Sequence, residues 1–184
     1  MVPLTALWMP IVLSAVAVFT ASSLIHMVFR WHNSDFAKLP NEDVIRDTMR
    51  SAGVEQGTYF FPCSDPPGDM SAEMMVKIAE GPSGKMTVFP RGPINMGKQL
   101  THWFFYCVVM GLFAGYVGSA TLAAGTDYLH VFQVVGAAAF LGYSGSIWQE
   151  VIWMGGRPSS ALKSIIDGLI YGLLTAGVFG WLWP

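Results

Sequence analysis

The chain has 184 residues, of which 53% are hydrophobic and only 12% charged, and its formal net charge is −2. A soluble domain usually carries about 25% charged residues, so this chain has too few charges to cover a globular surface. The composition excludes an ordinary soluble enzyme and a disordered chain, and the absence of a basic run argues against nucleic acid as a partner. It indicates an integral membrane protein whose first partner is the lipid bilayer.

Four segments are long and apolar enough to cross a membrane, which takes about 20 mostly apolar residues in a helix. The third contains one charged residue, Glu150, the fourth contains only Asp167, and the first two contain none. The segment at the N-terminus lacks the basic start of a cleaved signal peptide, so we expect it to remain as an anchor. The four predicted spans are residues 7–28, 100–124, 129–153 and 164–184.

The region between the first two spans, residues 31–98, has seven Lys and Arg against nine Asp and Glu. Its pattern predicts the order αβαβ, with a first helix capped by Asn41 and two short strands joined by the second helix, which suggests a small βαβ unit. A core of about 60 residues is marginal alone, so we expect this insert to lean on the helix ends or on the bilayer surface. The predicted elements are helices 42–52 and 71–80 and strands 57–62 and 86–90.

Particular residues at the ends and on the faces of the spans predict helix caps and close helix contacts. Asp127 precedes the third span, and Ser159 and Ser160 precede the fourth, so we expect all three to act as helix N-caps.

Glycines four residues apart let another helix backbone approach closely. Packing inside the chain is the first interpretation of such glycines, and a homo-oligomer interface stays open. The pairs are Gly111 with Gly115 and Gly168 with Gly172.

The positive charges predict the orientation of the chain, because Lys and Arg close to a span stay on the cytoplasmic side. All ten lie either between the first and second spans or between the third and fourth. Both termini are therefore expected outside and residues 31–98 in the cytoplasm. The predicted fold is an all-α membrane protein, a four-helix transmembrane bundle with a small cytoplasmic αβαβ insert. Its parts are the first transmembrane helix (1–30), the insert (31–98) and the last three helices (99–184).

Near its inner end each span contributes one ionisable residue, and at about 1.5 Å rise per residue all four lie about 5–10 Å below the same inner boundary. They are His26, His102, Glu150 and Asp167. Ionisable groups are costly in a membrane and are a functional hypothesis by default. Two histidines and two carboxylates predict a metal site or a proton relay. A purely structural salt-bridge cluster with the nearby cations Arg157 and Lys163 is the first interpretation of these residues, and a haem held by the two histidines has weak support.

Two further residue types have weaker chemical signals. Cys63 lies in the insert and Cys107 inside the second span, so no disulfide between them is expected.

Five methionines lie close to the second helix of the insert, and a Cu(I) site is one hypothesis for them. Flexible core packing explains their spacing better. They are Met70, Met74, Met75, Met86 and Met96.

Three stretches of the chain read AEGPSGKMTVFPRGPINMGKQL, HVFQVVGAAAFLGY and IIDGLIYGLLTAGVFGWLWP. They resemble a family of bacterial four-span integral membrane proteins that has no assigned activity. The resemblance covers most of the chain and implies the bacterial inner membrane as location, and it carries over no functional residue.

Two functions of different classes are consistent with these observations. The first is a non-enzymatic interaction or assembly module that binds a protein partner through the cytoplasmic insert. The second is a small transporter or a metal-dependent membrane protein that uses the four ionisable residues of the inner leaflet. No particular cofactor is specified by the sequence. Against transport, four spans are few, and no pair of discontinuous helices is visible.

Overall fold

A computed structural model gives the fold of residues 1–65, 67–68 and 70–184. The protein is mostly helical, and four of its helices are long and apolar enough to cross a membrane. Each overlaps one of the four predicted spans, which supports a multi-pass membrane protein. Their bounds are Leu4–Phe29, Met96–Thr121, Tyr128–Met154 and Pro158–Trp181.

The first of these helices changes its helix type twice. It begins with a 3₁₀ turn at Leu4–Leu7, continues as α1 at Trp8–Ser23 and ends as a π-helical segment at Leu24–Phe29. Arg30 then adopts a left-handed conformation with φ 53°, which is uncommon outside glycine. A second 3₁₀ turn, Trp31–Asp35, follows it directly. The chain therefore reverses abruptly where the first apolar helix ends.

The described residues form two compact units. The first contains Met1–Phe36, Asn95–Ile152 and Gly156–Pro184, and the second contains Ala37–Ile94 and Trp153–Gly155. The sequence analysis placed the start of the insert at residue 31. In the structure the turn 31–36 belongs with the apolar helices, and the second unit begins after it.

The second unit contains α2, β1, α3 and β2 in the predicted order, at Glu42–Ser51, Gly57–Phe61, Ala72–Glu80 and Gly84–Val88. The strands pair antiparallel, with Gly57 opposite Val88, so the expected βαβ unit, whose strands run parallel, is wrong. The physical reason is that parallel sheets need helices on both faces. Among the described residues of 37–94 none is buried, so no covered face exists here.

The first unit is built from α1 and four further helices. These are α4 at Met96–Thr121, α5 at Tyr128–Ser144, α6 at Ile147–Met154 and α7 at Pro158–Trp181. Helices α1, α4, α5 and α7 pack together around side chains that are fully or almost fully buried: Leu7, Ala114, Val131, Val135 and Phe179. Many large apolar side chains on the outer faces are exposed, including Phe105, Phe113, Leu141 and Trp181. Such a surface suits a lipid environment and would be a liability in water.

The predicted helix caps are partly correct. Asp127 caps α5, because its side chain accepts a hydrogen bond from the amide of His130. Asn41 precedes α2 as predicted but lies in the left-handed region and makes no side-chain cap. Ser159 and Ser160 lie inside α7, which begins at Pro158. The preset φ of proline favours the first helical position, so the helix starts before the two serines.

The glycine pairs pack inside the protein, in agreement with the first interpretation of their spacing. A methyl group added at Gly111 would lie 3.1 Å from Ser14 Oγ, and one at Gly172 would lie 3.1 Å from Phe140 Cβ. These bare positions let α4 approach α1 and let α7 approach α5. The same holds for Gly136 of α5, where an added Cβ would lie 2.8 Å from the Cβ of Ala176 on α7.

We expect Gly136→Ala to destabilise the protein by about 1–3 kcal/mol, because the new methyl group meets a backbone-attached carbon that can move only with its helix. Gly177→Ala on α7 is the matched control, since its Cβ would find only the Tyr128 hydroxyl at 3.7 Å. That variant should be as stable as the wild type or slightly more stable, because alanine favours a helix. Thermal unfolding of both variants in detergent checks the difference, and equal stability would contradict the close contact.

Candidate functional site

Three ionisable side chains converge where the first apolar helix ends beside α7. They are His26, His32 and Asp167, and one ligand atom from each lies within 4.8 Å of the others. His32 Nε2 lies 2.8 Å from Asp167 Oδ2, and His26 Nε2 lies 3.7 Å from the same oxygen. The Asp167 side chain is only 6% exposed, and the side chains of His32 and His26 are 16% and 49% exposed.

The reversal at Arg30 brings the two histidines together. His26 lies in the π-helical segment and His32 in the 3₁₀ turn, and their rings stack with centroids 4.8 Å apart and an interplanar angle of 2°. Without the left-handed residue between them, a continuing helix would carry residue 32 away along the axis by about 1.5 Å per residue. The backbone conformation of residues 24–35 therefore determines whether the imidazole rings of His26 and His32 stack.

Both histidines use Nδ1 to contact an oxygen acceptor. His26 Nδ1 lies 2.9 Å from the backbone oxygen of Ser22, and His32 Nδ1 lies 2.7 Å from Asp35 Oδ2. Because these oxygens can only accept, each Nδ1 carries the proton. In a neutral ring Nε2 then has a lone pair. At 2.8 Å, the contact of His32 Nε2 with Asp167 Oδ2 needs either a proton shared between the two atoms or a metal ion bound to both.

A lysine holds the 3₁₀ turn against α7. Lys163 Nζ donates to Asp35 Oδ1 at 2.7 Å, to Ser34 Oγ at 2.7 Å and to the backbone oxygen of Trp31 at 2.9 Å. We call these contacts the Lys163 clasp. They join a turn that follows the first long helix to the first turns of the last one.

The clasp also changes the acidity of its carboxylate. The hydrogen bond from Lys163 lowers the pKa of Asp35 to about 2, helped by His32 and opposed by desolvation. Since this pKa is depressed in the folded state, the stabilisation is fully present above the usual pKa near 4 and is lost as the pH falls towards 2. At neutral pH Asp35 is therefore ionised, and Lys163 balances its charge.

Two cavities meet at the His–Asp group. The larger, of about 610 Å³, lies among the apolar helices and is lined by aromatic and small polar residues, including Ser22, His26, Trp103, Tyr143, Asp167 and Tyr171. The second, of about 420 Å³, is lined by His26, His32, Asp35, Phe36, Arg157 and Ser160 with Ser164. His26 and Ser164 line both, so the group can be approached from either side.

The structure brings together two of the four residues that the sequence analysis selected. His26 and Asp167 are in the group, whereas His102 is exposed on α4 and Glu150 is exposed on α6. Neither of these two belongs to a described set of three converging metal-binding groups. The metal assignment itself stays a prediction.

The sequence analysis missed His32, because it lies beyond the apolar span and was counted with the insert. A signal for it does exist in the sequence. His32 and Asp35 are three residues apart, a spacing that puts a carboxylate beside a histidine within one helical turn. That pair also lies only a few residues after His26.

Comparison with protein-family models, with curated proteins and with solved structures found no match for this chain.

We expect Lys163→Met to loosen the turn 31–36, because the apolar side chain leaves Asp35, Ser34 and the Trp31 carbonyl without their donor. Hydrogen exchange of the amides in residues 30–36 should become several-fold faster. The matched control is Lys98→Met, which changes an exposed lysine in the first turn of α4. Unchanged exchange in the Lys163 variant would show that the turn is held by other contacts.

Proposed function

We propose that this is a metal-dependent membrane protein that binds one divalent first-row transition-metal ion through His26, His32 and Asp167. The proposal corresponds to the second of the two functions expected from the sequence. It replaces His102 and Glu150 by His32 in the ligand set.

The observation that carries the proposal is the arrangement around the two imidazoles. Both Nδ1 atoms donate to oxygen acceptors, Ser22 O and Asp35 Oδ2, while both Nε2 atoms face Asp167 Oδ2. Metal-binding histidines almost always have their other ring nitrogen bonded to a carbonyl or carboxylate, which fixes the tautomer and the ring orientation. The two Nε2 atoms and the Asp167 carboxylate thus face one another as a ligand set for a metal ion.

The distances support the same interpretation. Ligand atoms about 2.0–2.1 Å from a tetrahedral ion lie about 3.4 Å apart, and the observed contacts of 2.8 and 3.7 Å to Asp167 Oδ2 bracket this value. The rings are parallel, so one must turn to point its lone pair at a shared ion, and the half-exposed His26 has the room to do so.

The ligand types select the class of metal. Imidazole and carboxylate together suit Zn²⁺ or Fe²⁺, and three protein ligands leave coordination positions open for water or substrate. Mg²⁺ and Ca²⁺ prefer oxygen ligands. Because Lys163 balances the charge of Asp35, Asp167 is the carboxylate that offsets the charge of the ion.

The test uses the full-length protein, purified in detergent, loaded with Zn²⁺ and freed of excess metal before elemental analysis. The wild type should retain about one ion per chain, and His32→Ala and Asp167→Asn should each reduce the retained zinc to near zero. The matched controls are His102→Ala and Glu150→Gln, which alter the two exposed residues of the originally expected set. Both controls should retain the wild-type amount.

Two results would overturn the proposal. One is a wild-type protein that stays folded yet retains no zinc, and also no Fe²⁺ when loaded anaerobically. The other is a loss of zinc in the two controls as large as in the site variants. In the first case the His–Asp group acts as a structural anchor, and the interaction module becomes the leading function.

We also propose the placement that the charge pattern favours: a bacterial inner membrane, both termini outside and residues 31–98 in the cytoplasm as a surface for a protein partner. The second unit supports the last point, because none of its described residues 37–94 is buried. A cavity of about 480 Å³ in this unit combines basic and apolar side chains, which suits an acidic segment of a partner. It is lined by Arg46, Met49, Arg50, Val54, Val88, Phe89 and Arg91.

The native cysteines provide a test of this placement, because Cys63 is exposed and Cys107 is buried. A membrane-impermeant maleimide should leave Cys63 unlabelled in intact spheroplasts and label it after permeabilisation. The control is Ala124→Cys in a Cys63→Ser background, which puts the thiol in the turn between α4 and α5 and should be labelled in intact spheroplasts. The reverse pattern would invert the orientation and remove the cytoplasmic partner.

A further inference from the structure

The larger cavity has a polar end that the metal proposal does not use. Asp167 Oδ1 and the hydroxyl of Tyr171 are both buried, and neither has a hydrogen-bond partner among the described residues. Both residues line the cavity of about 610 Å³. Leaving a buried polar group unpaired costs about 1–3 kcal/mol, so two such groups on residues that line one cavity indicate that a bound molecule completes them.

The two groups lie on one face of α7. Residues 167 and 171 are four apart, and long helical side chains lean back over the turn on their N-terminal side. The Tyr171 ring therefore reaches towards Asp167. Its other neighbours are aromatic, since the rings of Tyr143 and Trp103 have centroids 5.3 and 6.0 Å from it. The polar end of the cavity thus offers one carboxylate oxygen and one phenol hydroxyl within an aromatic wall.

The charges around the cavity select a neutral ligand. None of the described residues that line it is a lysine or an arginine, and Asp167 is its one acidic residue. A fatty acid or a phospholipid phosphate would find no lysine or arginine there and would be repelled by the Asp167 carboxylate. Its one histidine, His26, already faces Asp167 Oδ2, as does His32. An organic cation would have to compete with these two histidines for the carboxylate. A neutral hydroxyl group can donate to Asp167 Oδ1 and accept from Tyr171 at once.

The rest of the cavity wall is suited to the apolar part of a ligand. Trp103 and Tyr106 stack with ring centroids 5.4 Å apart and an interplanar angle of 20°, and Met27, Leu100 and Ile147 line the cavity with them. A volume of about 610 Å³ is in the range of pockets that hold drug-sized molecules, which run from about 300 to 1,000 Å³.

We propose that this cavity is a binding site for a neutral, lipid-soluble alcohol or phenol, whose hydroxyl group bonds to Asp167 Oδ1 and Tyr171 and whose apolar body lies against the aromatic wall. The site goes beyond the proposed metal function and does not depend on it, because these two atoms are separate from the Asp167 Oδ2 contacts with the histidines.

The test measures binding of tritiated 4-hexylphenol to the full-length protein in nanodiscs, in the presence of a metal chelator so that metal binding cannot influence it. Binding should be saturable, and unlabelled 4-hexylphenol should compete much better than hexylbenzene, which has the same body without the hydroxyl. Tyr171→Phe should weaken phenol binding about three- to tenfold, the value of one net hydrogen bond. The affinity for hexylbenzene should not change.

The matched control is Tyr116→Phe, which removes an exposed hydroxyl on α4 that does not line the cavity. Phenol binding should keep its wild-type affinity in this variant. Three results would overturn the proposal: no saturable binding, equal competition by hexylbenzene, or stronger competition by 4-hexylbenzoate. An equal loss in both tyrosine variants would also overturn it. Zinc retention is measured separately without chelator, so failure of either site leaves the other result interpretable.

Discussion

Asp167 is a carboxylate buried among apolar helices, and the organisation of the end of the first unit where α7 begins depends on its need for partners. An isolated buried charge is strongly unfavourable, and within the described part of the chain its ionisable partners are two histidines. These come from the end of the first helix and the turn after it, where His26 and His32 face its oxygen. Their approach requires the reversal at Arg30, and Lys163 holds the reversed turn in place through Asp35. The contacts of one buried carboxyl group and of the Lys163 clasp thus hold residues 31–36 against α7.

The four spans and the αβαβ order could be predicted from the sequence, because hydropathy and turn residues are local properties. That His26 and Asp167 lie near the same end of the helix bundle was also readable, since it depends only on position along a helix. The rotation of each helix was not, and it is rotation that turns His102 and Glu150 to the exposed surface. The antiparallel pairing of β1 with β2 was missed for a similar reason, because the strand direction depends on whether the faces of the sheet become covered.

His32 shows a different limit of sequence analysis. A hydropathy window ends the first span near residue 28 and assigns the residues after it to the polar insert. The structure instead joins residues 31–36 to the apolar unit through contacts with α7. Their partner, Lys163, is separated from Asp35 by more than a hundred residues in the chain, so no local pattern could reveal the pairing. The carboxylate of Asp35 beside His32 was the one local signal.

The site combines the first and the last long helices of the chain, and this has a consequence for biosynthesis. Both histidines leave the ribosome early, whereas Asp167 and the hydroxyl of Tyr171 belong to the final span. A chain made from the N-terminus onward therefore holds two histidines without their carboxylate through the insertion of three helices. Nascent chains that end before residue 167 lack the site entirely. Formation of the site thus shows that translation has passed residue 171 and that α7 has inserted.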